Sequence, residues 1–455
     1  MTEQPSDRHP LSFNQDFLTL FDQGDDDGPF GPKYNITYAV RVTGPLRTDL
    51  LQTALDDVVV RHSALRTVVV RGDDGHQLVL PPSPVSLDVR DLGTTSTGDR
   101  DLRAEELVLE VEAGEYSAVR PPLLRATLGR FAADDAVLVL VAHHTAADEW
   151  SMPLIVRDLA ALYTARATGV DADLPAAPQF VEYAAWEKER AGSDLTAKAL
   201  AYWQDKLSGA RILPLRTDHL RSEGLPKTTA WARFTVPAGF TSAVGEAAQE
   251  MRCSPFMLLL SAYYVYLHEL TGETDIVVMS FASGRSVGAY HETVGSFFNF
   301  IPLRTDLAGC GSFRDVATRV RRTCLEAYRY EVPFPQLLGV APELMAAAAS
   351  DDGAICAFQV FRAPLATEFT SGELAYQQVR GRLLEQQSGG DVPDGAMWHL
   401  DLELDGDMPG ALVYNTNLFS AEGMATLIAG YVDALGRTVT APDARLAVAP
   451  HAVGA

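Results

Sequence analysis

The sequence predicts a mixed α/β protein built from two lobes, and three observations carry that reading. At 455 residues the chain exceeds a single ordinary domain of about 150–200 residues. Stretches of strand-like alternation or short apolar runs sit among stretches with apolar residues at helical spacing, in both halves of the chain. Between them, Gly169–Pro178 combines Gly, Pro and small residues as a linker would, which sets the expected lobes at residues 1–175 and 176–455.

Taken in order, Ile36–Val42 alternates as a strand, and Leu46–Val60 carries apolar residues at helical spacing. Val68–Val70 and Gln77–Leu80 read as a hairpin turning at Asp73-Asp74-Gly75. Residues 102–114 form an acidic helical stretch, followed by strand-like runs at Leu123–Phe131 and Ala136–Ala142. The second run is all Val, Leu and Ala, as expected of a central strand buried on both faces. Met152–Arg166 then has helical periodicity. Beyond the linker come one helix over Ala184–Leu207, a strand at Ala230–Val236, a long helix ending near Thr271 and a strand at Asp275–Phe281.

Composition narrows the function. Apolar residues make up 47% and charged residues 21%, enough for a large core. With 37 Lys and Arg against 60 Asp and Glu, the net charge of -23 disfavours a phosphate backbone and an anionic membrane surface as partners. Cys253, Cys310, Cys324 and Cys356 show no C-x-x-C pairing, so neither a zinc knuckle nor a disulfide framework is expected. Phe256–Leu267 is short of the roughly 20 residues that cross a bilayer and reads as a buried helix. The polar start lacks a signal-peptide pattern, and a cytoplasmic location is expected.

The chemistry is concentrated where the Ala136–Ala142 run ends, at His143-His144-Thr145-Ala146-Ala147-Asp148-Glu149-Trp150-Ser151. Successive strand residues face opposite ways, so one histidine is expected to be catalytic and the other structural. An imidazole can take the proton that an amine or alcohol loses on attacking a thioester, or it can orient the nucleophile and stabilise the tetrahedral intermediate. Asp148 either pairs with an arginine to fix the loop or sits as a favourable charge at a helix start. The chain has no G-x-x-x-x-G-K-[ST], G-x-S-x-G or H-E-x-x-H motif, and no G-x-G-x-x-G after a strand. His62, inside a basic run, and His399, beside Trp398, are the other histidines of interest.

At these residues the chain resembles the condensation enzymes of nonribosomal peptide synthesis and related acyltransferases such as chloramphenicol acetyltransferase. His143–Asp148 is similar to their H-H-x-x-x-D. Leu11–Gln15 resembles S-x-A-Q with Asn14 in place of Ala, and Arg61–Thr67 resembles R-H-x-x-L-R-T. Phe180–Trp186 is similar to Y-x-D-Y-A-x-W, and Val294–Arg304 to I-G-x-F-V-N-T-x-P-L-R. Tyr330–Phe334 and Gly410–Phe419 extend the likeness over nearly the whole chain. The family usually has Gly after the motif aspartate, where this chain has Glu149.

The resemblance implies two chloramphenicol acetyltransferase-like lobes in a V with a tunnel between them, the C-terminal lobe carrying a floor loop and a latch. It makes His144 catalytic at the tunnel midpoint, His143, Asp148, Arg285 and Asn299 structural at the active site, and Glu149, Trp150 and Ser151 its tunnel neighbours. Asp148 is expected to bridge to Arg285 of the Ser283-Gly284-Arg285 turn, and Gln377–Pro393 to cross between lobes. The implied activity is acyl transfer in trans from a carrier-protein thioester to an amine or hydroxyl of a small-molecule or carrier-bound acceptor. No cofactor is expected; the donor rides on the phosphopantetheine arm of a peptidyl carrier protein. Ester-forming members, such as those that join a carrier-bound β-amino acid to an enediyne core, are one kind it resembles. Arg120, Arg125 and Arg130 either meet the acidic carrier or form a solvated face. An epimerisation domain and a non-catalytic recruiting module are the alternatives, the first usually having Ser-Trp after the motif and the second tending to lose the second histidine. An acyltransferase using free coenzyme A is a third, and would be supported by a trimeric assembly.

Overall fold

The computed structural model describes residues 8–93, 97–362, 364–379, 394–404 and 406–446. Two six-stranded sheets organise it. The first runs Glu368–Ser371, Leu374–Gln378, Asn35–Thr43, Asp135–His143, Leu124–Ala132, Ser86–Asp91, with only its last pair parallel. The second runs Asn299–Asp306, Asp275–Ala282, Cys356–Phe361, Ala396–Asp401, Met408–Asn415, Thr229–Val236, with Cys356–Phe361 parallel to both of its neighbours.

Asp135–His143 lies inside the first sheet and every residue after Asp135 is buried. Its alternate side chains feed two cores. Ala136, Leu138, Leu140 and Ala142 pack with the helices Thr48–Arg61 and Ser151–Thr168, while Val137, Val139 and Val141 pack with Leu107 and Val108 of Thr97–Glu112. A strand covered on both faces can be apolar at every position, which is why this run shows no alternation. Each fully buried Val or Leu contributes about 1.5–3 kcal/mol, so the strand is strongly held up to the histidines at its end.

The second core gathers Pro255–Thr271, Phe313–Arg329 and Ala421–Thr440 on the second sheet. Pro255–Thr271, expected to be a buried helix, starts at Ser254, whose hydroxyl accepts from the Met257 amide, with Pro255 at its first turn. Among the described residues no helix is long and apolar enough to cross a membrane.

Each core also draws on segments from the other half of the chain. Phe17, on the helix Phe13–Thr19, packs in the second core against Phe300 and Phe334. In return, Ala375–Gln378 pair with Val40–Thr43 at the edge of the first sheet, and the Val379 amide donates to Ala39. Of the segment Gln377–Pro393, residues 380–393 lie outside the described residues.

The single helix expected over Ala184–Leu207 is two helices, Phe180–Arg190 and Asp194–Lys206. The Ser193 hydroxyl accepts from the Thr196 amide at 3.3 Å and caps the second, so the Gly192-Ser193 pair ends one helix and starts the next. Gly169, at φ 74°, closes Ser151–Thr168 in the left-handed conformation, and residues 170–179 follow without helix or strand. His62 is structural: its Nε2 is 2.9 Å from Asp158 Oδ2 in the core. Burial would raise the Asp158 carboxyl, but hydrogen bonds from His62, Arg61 and Arg157 outweigh it and hold the group at about 2.

Candidate active site

The last strand residue, His143, is opposite Asn35 and turns into the core. Its Nε2 lies 3.0 Å from the Gly31 carbonyl, and its Nδ1 lies 2.8 Å from Thr145 Oγ1 and accepts from the Thr145 amide at 3.3 Å. That arrangement fits one neutral tautomer, with Nε2–H donating to Gly31. Burial lowers the pKa to about 4 against a smaller opposing effect of the Gly31 carbonyl. Both nitrogens are committed to the fold, so His143 has no free lone pair for chemistry.

His144 faces the other way. Its amide donates to the Tyr34 carbonyl at 2.9 Å, and its ring stacks on Tyr34 at 4.8 Å and meets the Phe298 edge at 5.2 Å. Nδ1 is buried without a hydrogen-bond partner, which leaves Nε2 as the accessible nitrogen. Burial lowers its pKa from 6.5, opposed by its own and the Ala147 backbone and by the charge of Asp148. The ring is therefore held by aromatic faces, neutral at pH 7, and able to accept a proton.

Asp148 lies in the turn before the helix Ser151–Thr168 and joins the two sheets. Arg285, just after Asp275–Ala282, grips it with both guanidinium ends: Nη1 to Oδ2, and Nη2 to Oδ1 at 3.0 Å. Asp148 also accepts from the Ser151 hydroxyl at 2.6 Å and the Ser151 and Phe297 amides at 2.9 and 3.2 Å. Arg285 donates to the Thr293 carbonyl and lies 4.0 Å above the Phe297 ring. Asp148 is 5% and Arg285 3% exposed, so this is a buried, bidentate, fully directed pair.

The turn carrying Arg285 depends on glycine. Gly284 has φ +65°, and a Cβ there would stand 1.9 Å from the Phe297 carbonyl oxygen. Gly284→Ala is expected to lower stability by more than the roughly 1 kcal/mol of the backbone effect alone, read as a shift in the denaturation midpoint at unchanged slope.

Glu149 does not adopt a positive φ, so the side chain replaces glycine without backbone strain. It opens onto a cavity of about 470 Å³ between the sheets, lined by Tyr34, His144, Trp150, Phe298, Gln359 and His399 among others. Its Oε2 accepts from Gln359 Nε2 at 3.2 Å, and its Oε1 is 3.5 Å from His399 Nδ1. Burial pushes the carboxyl up to about 7, His399 lowering it and Asp401 and Asp148 raising it further. Trp150 donates from Nε1 to the His291 carbonyl at 3.0 Å and Ser151 sits beneath the Asp148–Arg285 pair.

Asn299 lies elsewhere. It ties Glu331 and Val332 to the second sheet and lines a smaller cavity of about 120 Å³, reached also by Asn14 and Glu187. Phe298 lines both cavities. Arg125 donates to the Leu124 and Arg120 carbonyls and Arg130 to the Leu46 carbonyl, while Arg120 is exposed. Among the described residues no three His, Cys, Asp or Glu side chains form a metal-holding group.

Tyr34, Phe298, Gln359 and Asp401 are site residues that sequence reasoning did not single out. The Asn35 to His143 register brings Tyr34 beside the motif, and Phe298 stands inside the Val294–Arg304 motif. Gln359 and Asp401 carry no local signal, because a strand pairing across the second sheet brings them to the cavity.

A family described as the condensation domain matches residues 7–449. Phosphinothricin tripeptide synthetase PhsC of Streptomyces viridochromogenes is 33% identical over 336 residues, 73% of this chain and 31% of that protein. The dimodular nonribosomal peptide synthase of Bacillus subtilis is 31% identical across 98% of this chain and 18% of its own length. The chain thus spans about a third or less of these relatives. The crystal structure of SgcC5 from Streptomyces globisporus, in complex with (R)-(-)-1-(2-naphthyl)-1,2-ethanediol and sucrose, is similar with a TM-score of 0.92 at 49% identity, covering 96% of this chain and 100% of that one. The X-domain from teicoplanin biosynthesis has a TM-score of 0.76 at 24% identity over 99% of both chains, a likeness of fold.

Proposed function

The chain belongs to the condensation-domain family, and on that premise we propose that it is an acyltransferase acting in trans, with a carrier-protein thioester as donor and a hydroxyl group as acceptor. The observation that carries this reading is His144: an imidazole whose Nδ1 is buried without a hydrogen-bond partner, whose burial favours the neutral form, and which is fixed between Tyr34 and Phe298 in the wall of a cavity between the two sheets. In the proposed step the acceptor oxygen attacks the thioester carbonyl carbon and passes its proton to His144. The tetrahedral intermediate collapses, the C–S bond breaks, and the proton leaves with the pantetheine thiolate as a thiol. One C–O bond forms for one C–S bond broken, with no redox change.

Two features support the finer parts of the proposal. A carrier-delivered pantetheine arm is extended and thin, and two cavities share Phe298 in their walls, which suits a donor and an acceptor that enter by separate routes. The similar SgcC5 structure holds a 1,2-diol, which favours a hydroxyl acceptor and the ester-forming, enediyne-pathway kind of condensation enzyme. The test is intact-mass analysis of the protein mixed with an aminoacyl-loaded peptidyl carrier protein and panels of diols and amines. Loss of the acyl mass from the carrier together with ester product from diols is the expected result. Amide product alone would replace the hydroxyl acceptor with an amine, and a carrier that stays loaded across both panels would overturn acyl transfer.

A further inference from the structure

Glu149 and Gln359 meet across the space between the two sheets. Glu149 stands in the turn that carries Asp148, Gln359 stands on the strand Cys356–Phe361 of the second sheet, and both line the cavity of about 470 Å³ that His144 also lines. The Gln359 side-chain amide donates to Glu149 Oε2 at 3.2 Å. His399, opposite Gln359 in the register of the neighbouring strand, brings Nδ1 to 3.5 Å from Oε1 of the same carboxyl. Side chains that touch from two walls of a cavity form a crossbar, and no room is left for a ligand where they meet.

Both ends of this crossbar are fixed. The backbone of Glu149 follows Asp148, whose carboxylate is gripped by Arg285 and accepts from the Ser151 and Phe297 amides. Gln359 stands on a strand paired on both sides, with Asp275–Ala282 and with Ala396–Asp401. A side chain anchored at both ends cannot swing aside for a ligand without giving up its hydrogen bond in the cavity. Glu149 adds this bulk without backbone strain, since its φ is not positive, at a position where the resembling family usually has glycine.

We propose that Glu149, held across the cavity by Gln359, is a specificity-determining residue that limits the length of the substrate group able to lie against His144, so that compact groups are taken and extended ones refused. This rests on the acyl-transfer reading above. The selection is by bulk: a chain too long for a closed pocket forces its neighbours apart, and here the neighbour is pinned. Glu149→Gln therefore preserves it, because the new side chain has the same shape and its carbonyl oxygen still accepts from Gln359. The group that meets the crossbar is either the acyl chain of the donor or the body of the hydroxyl acceptor, and the excluded space is the same for both.

The test measures kcat/KM for carrier proteins loaded with straight-chain acyl groups from acetyl to decanoyl, and for vicinal diols of increasing chain length. The proteins are the wild type, Glu149→Gly, Glu149→Ala and Glu149→Gln, and each profile is expressed relative to the shortest member of its series. In one of the two series the wild type is expected to fall by roughly 10-fold or more at the first chain that no longer fits, the cost of one methylene too many in a closed pocket. Glu149→Gly and Glu149→Ala move that step to longer chains, and Glu149→Gln leaves it in place. The series that shows the step identifies the group that meets the crossbar. No step in either wild-type series, a step that glycine and alanine leave where it was, or one that glutamine moves as far as alanine does, overturns the inference while leaving acyl transfer standing. Calorimetry with non-hydrolysable acyl-pantetheine amides and with the same diols reads the length limit without turnover. If no donor is consumed, a limit in affinity that moves in Glu149→Ala and not in Glu149→Gln still supports the inference, and affinities that follow chain length alike in all four proteins overturn it.

Discussion

His144→Ala is expected to lower the rate of acyl transfer by at least about 100-fold while leaving the unfolding midpoint close to that of the wild type. The ring is only partly buried, its aromatic contacts are a stack on Tyr34 and an edge contact with Phe298, and its Nδ1 has no hydrogen bond to lose. Its proposed task is to take a proton, which alanine cannot do. The pH dependence gives a second readout of the same role. Burial lowers the pKa of His144, so the neutral, proton-accepting form persists below the ordinary imidazole value of 6.5. Wild-type kcat/KM should therefore fall on the acid side with a midpoint below 6.5, and the residual rate of His144→Ala should lack that limb. A variant that keeps wild-type turnover, or an acid limb unchanged by the substitution, would remove His144 from the chemistry.

How much of this was legible beforehand differs between the two histidines and the residues around them. Strand alternation already required His143 and His144 to face apart, because neighbouring side chains on a pleated strand point to opposite faces. Which of them turns inward depends on Gly31 and Thr145, and the Gly31 carbonyl comes from a segment 112 positions away. The uninterrupted apolar run before them was readable as a strand covered on both faces, and it is one. The helix over Ala184–Leu207 was misread because helical spacing continues through Ala191-Gly192-Ser193, and only the capping geometry of Ser193 shows the break.

Glu149 marks the limit of the sequence in another way. Its departure from the family pattern was visible, but its consequence depended on a backbone angle and on neighbours from a distant strand. With an ordinary φ the residue is tolerated as a cavity-facing substituent, and its partners Gln359 and His399 come from 210 and 250 positions further on. No local pattern could pair them, because the contact is made between the two sheets. The same holds for the hairpin Glu368–Gln378, whose place on the first sheet follows from its pairing with Asn35–Thr43 rather than from anything in its own composition.

Arg285→Ala is expected to cost about 3–5 kcal/mol of stability, the range for breaking a buried ion pair by removing one partner. Asp148 would be left with three hydrogen bonds, from Ser151 and Phe297, but without its positive charge, and a buried carboxylate without one is what makes such substitutions severe. Asp148→Ala should cost a similar amount, since it strands a guanidinium whose Nε already lacks a hydrogen-bond partner and which keeps the Ser151 hydroxyl, the Ser283 and Thr293 carbonyls and the Phe297 and Trp150 rings but no carboxylate. The double variant should cost clearly less than the sum, because each single change includes the penalty of leaving the other charge buried, and that penalty is absent when both are gone. Denaturant unfolding of the four proteins measures the coupling directly. The pair also spans the two sheets one residue from Glu149 and four from His144, so its loss should lower kcat even where the protein remains folded. Additive costs would show that Asp148 and Arg285 act independently, the first as a helix-start carboxylate and the second through its stacking on Phe297. Strong coupling with a parallel fall in kcat would make the ion pair the element that holds the strand end bearing His144 in register with the opposite sheet.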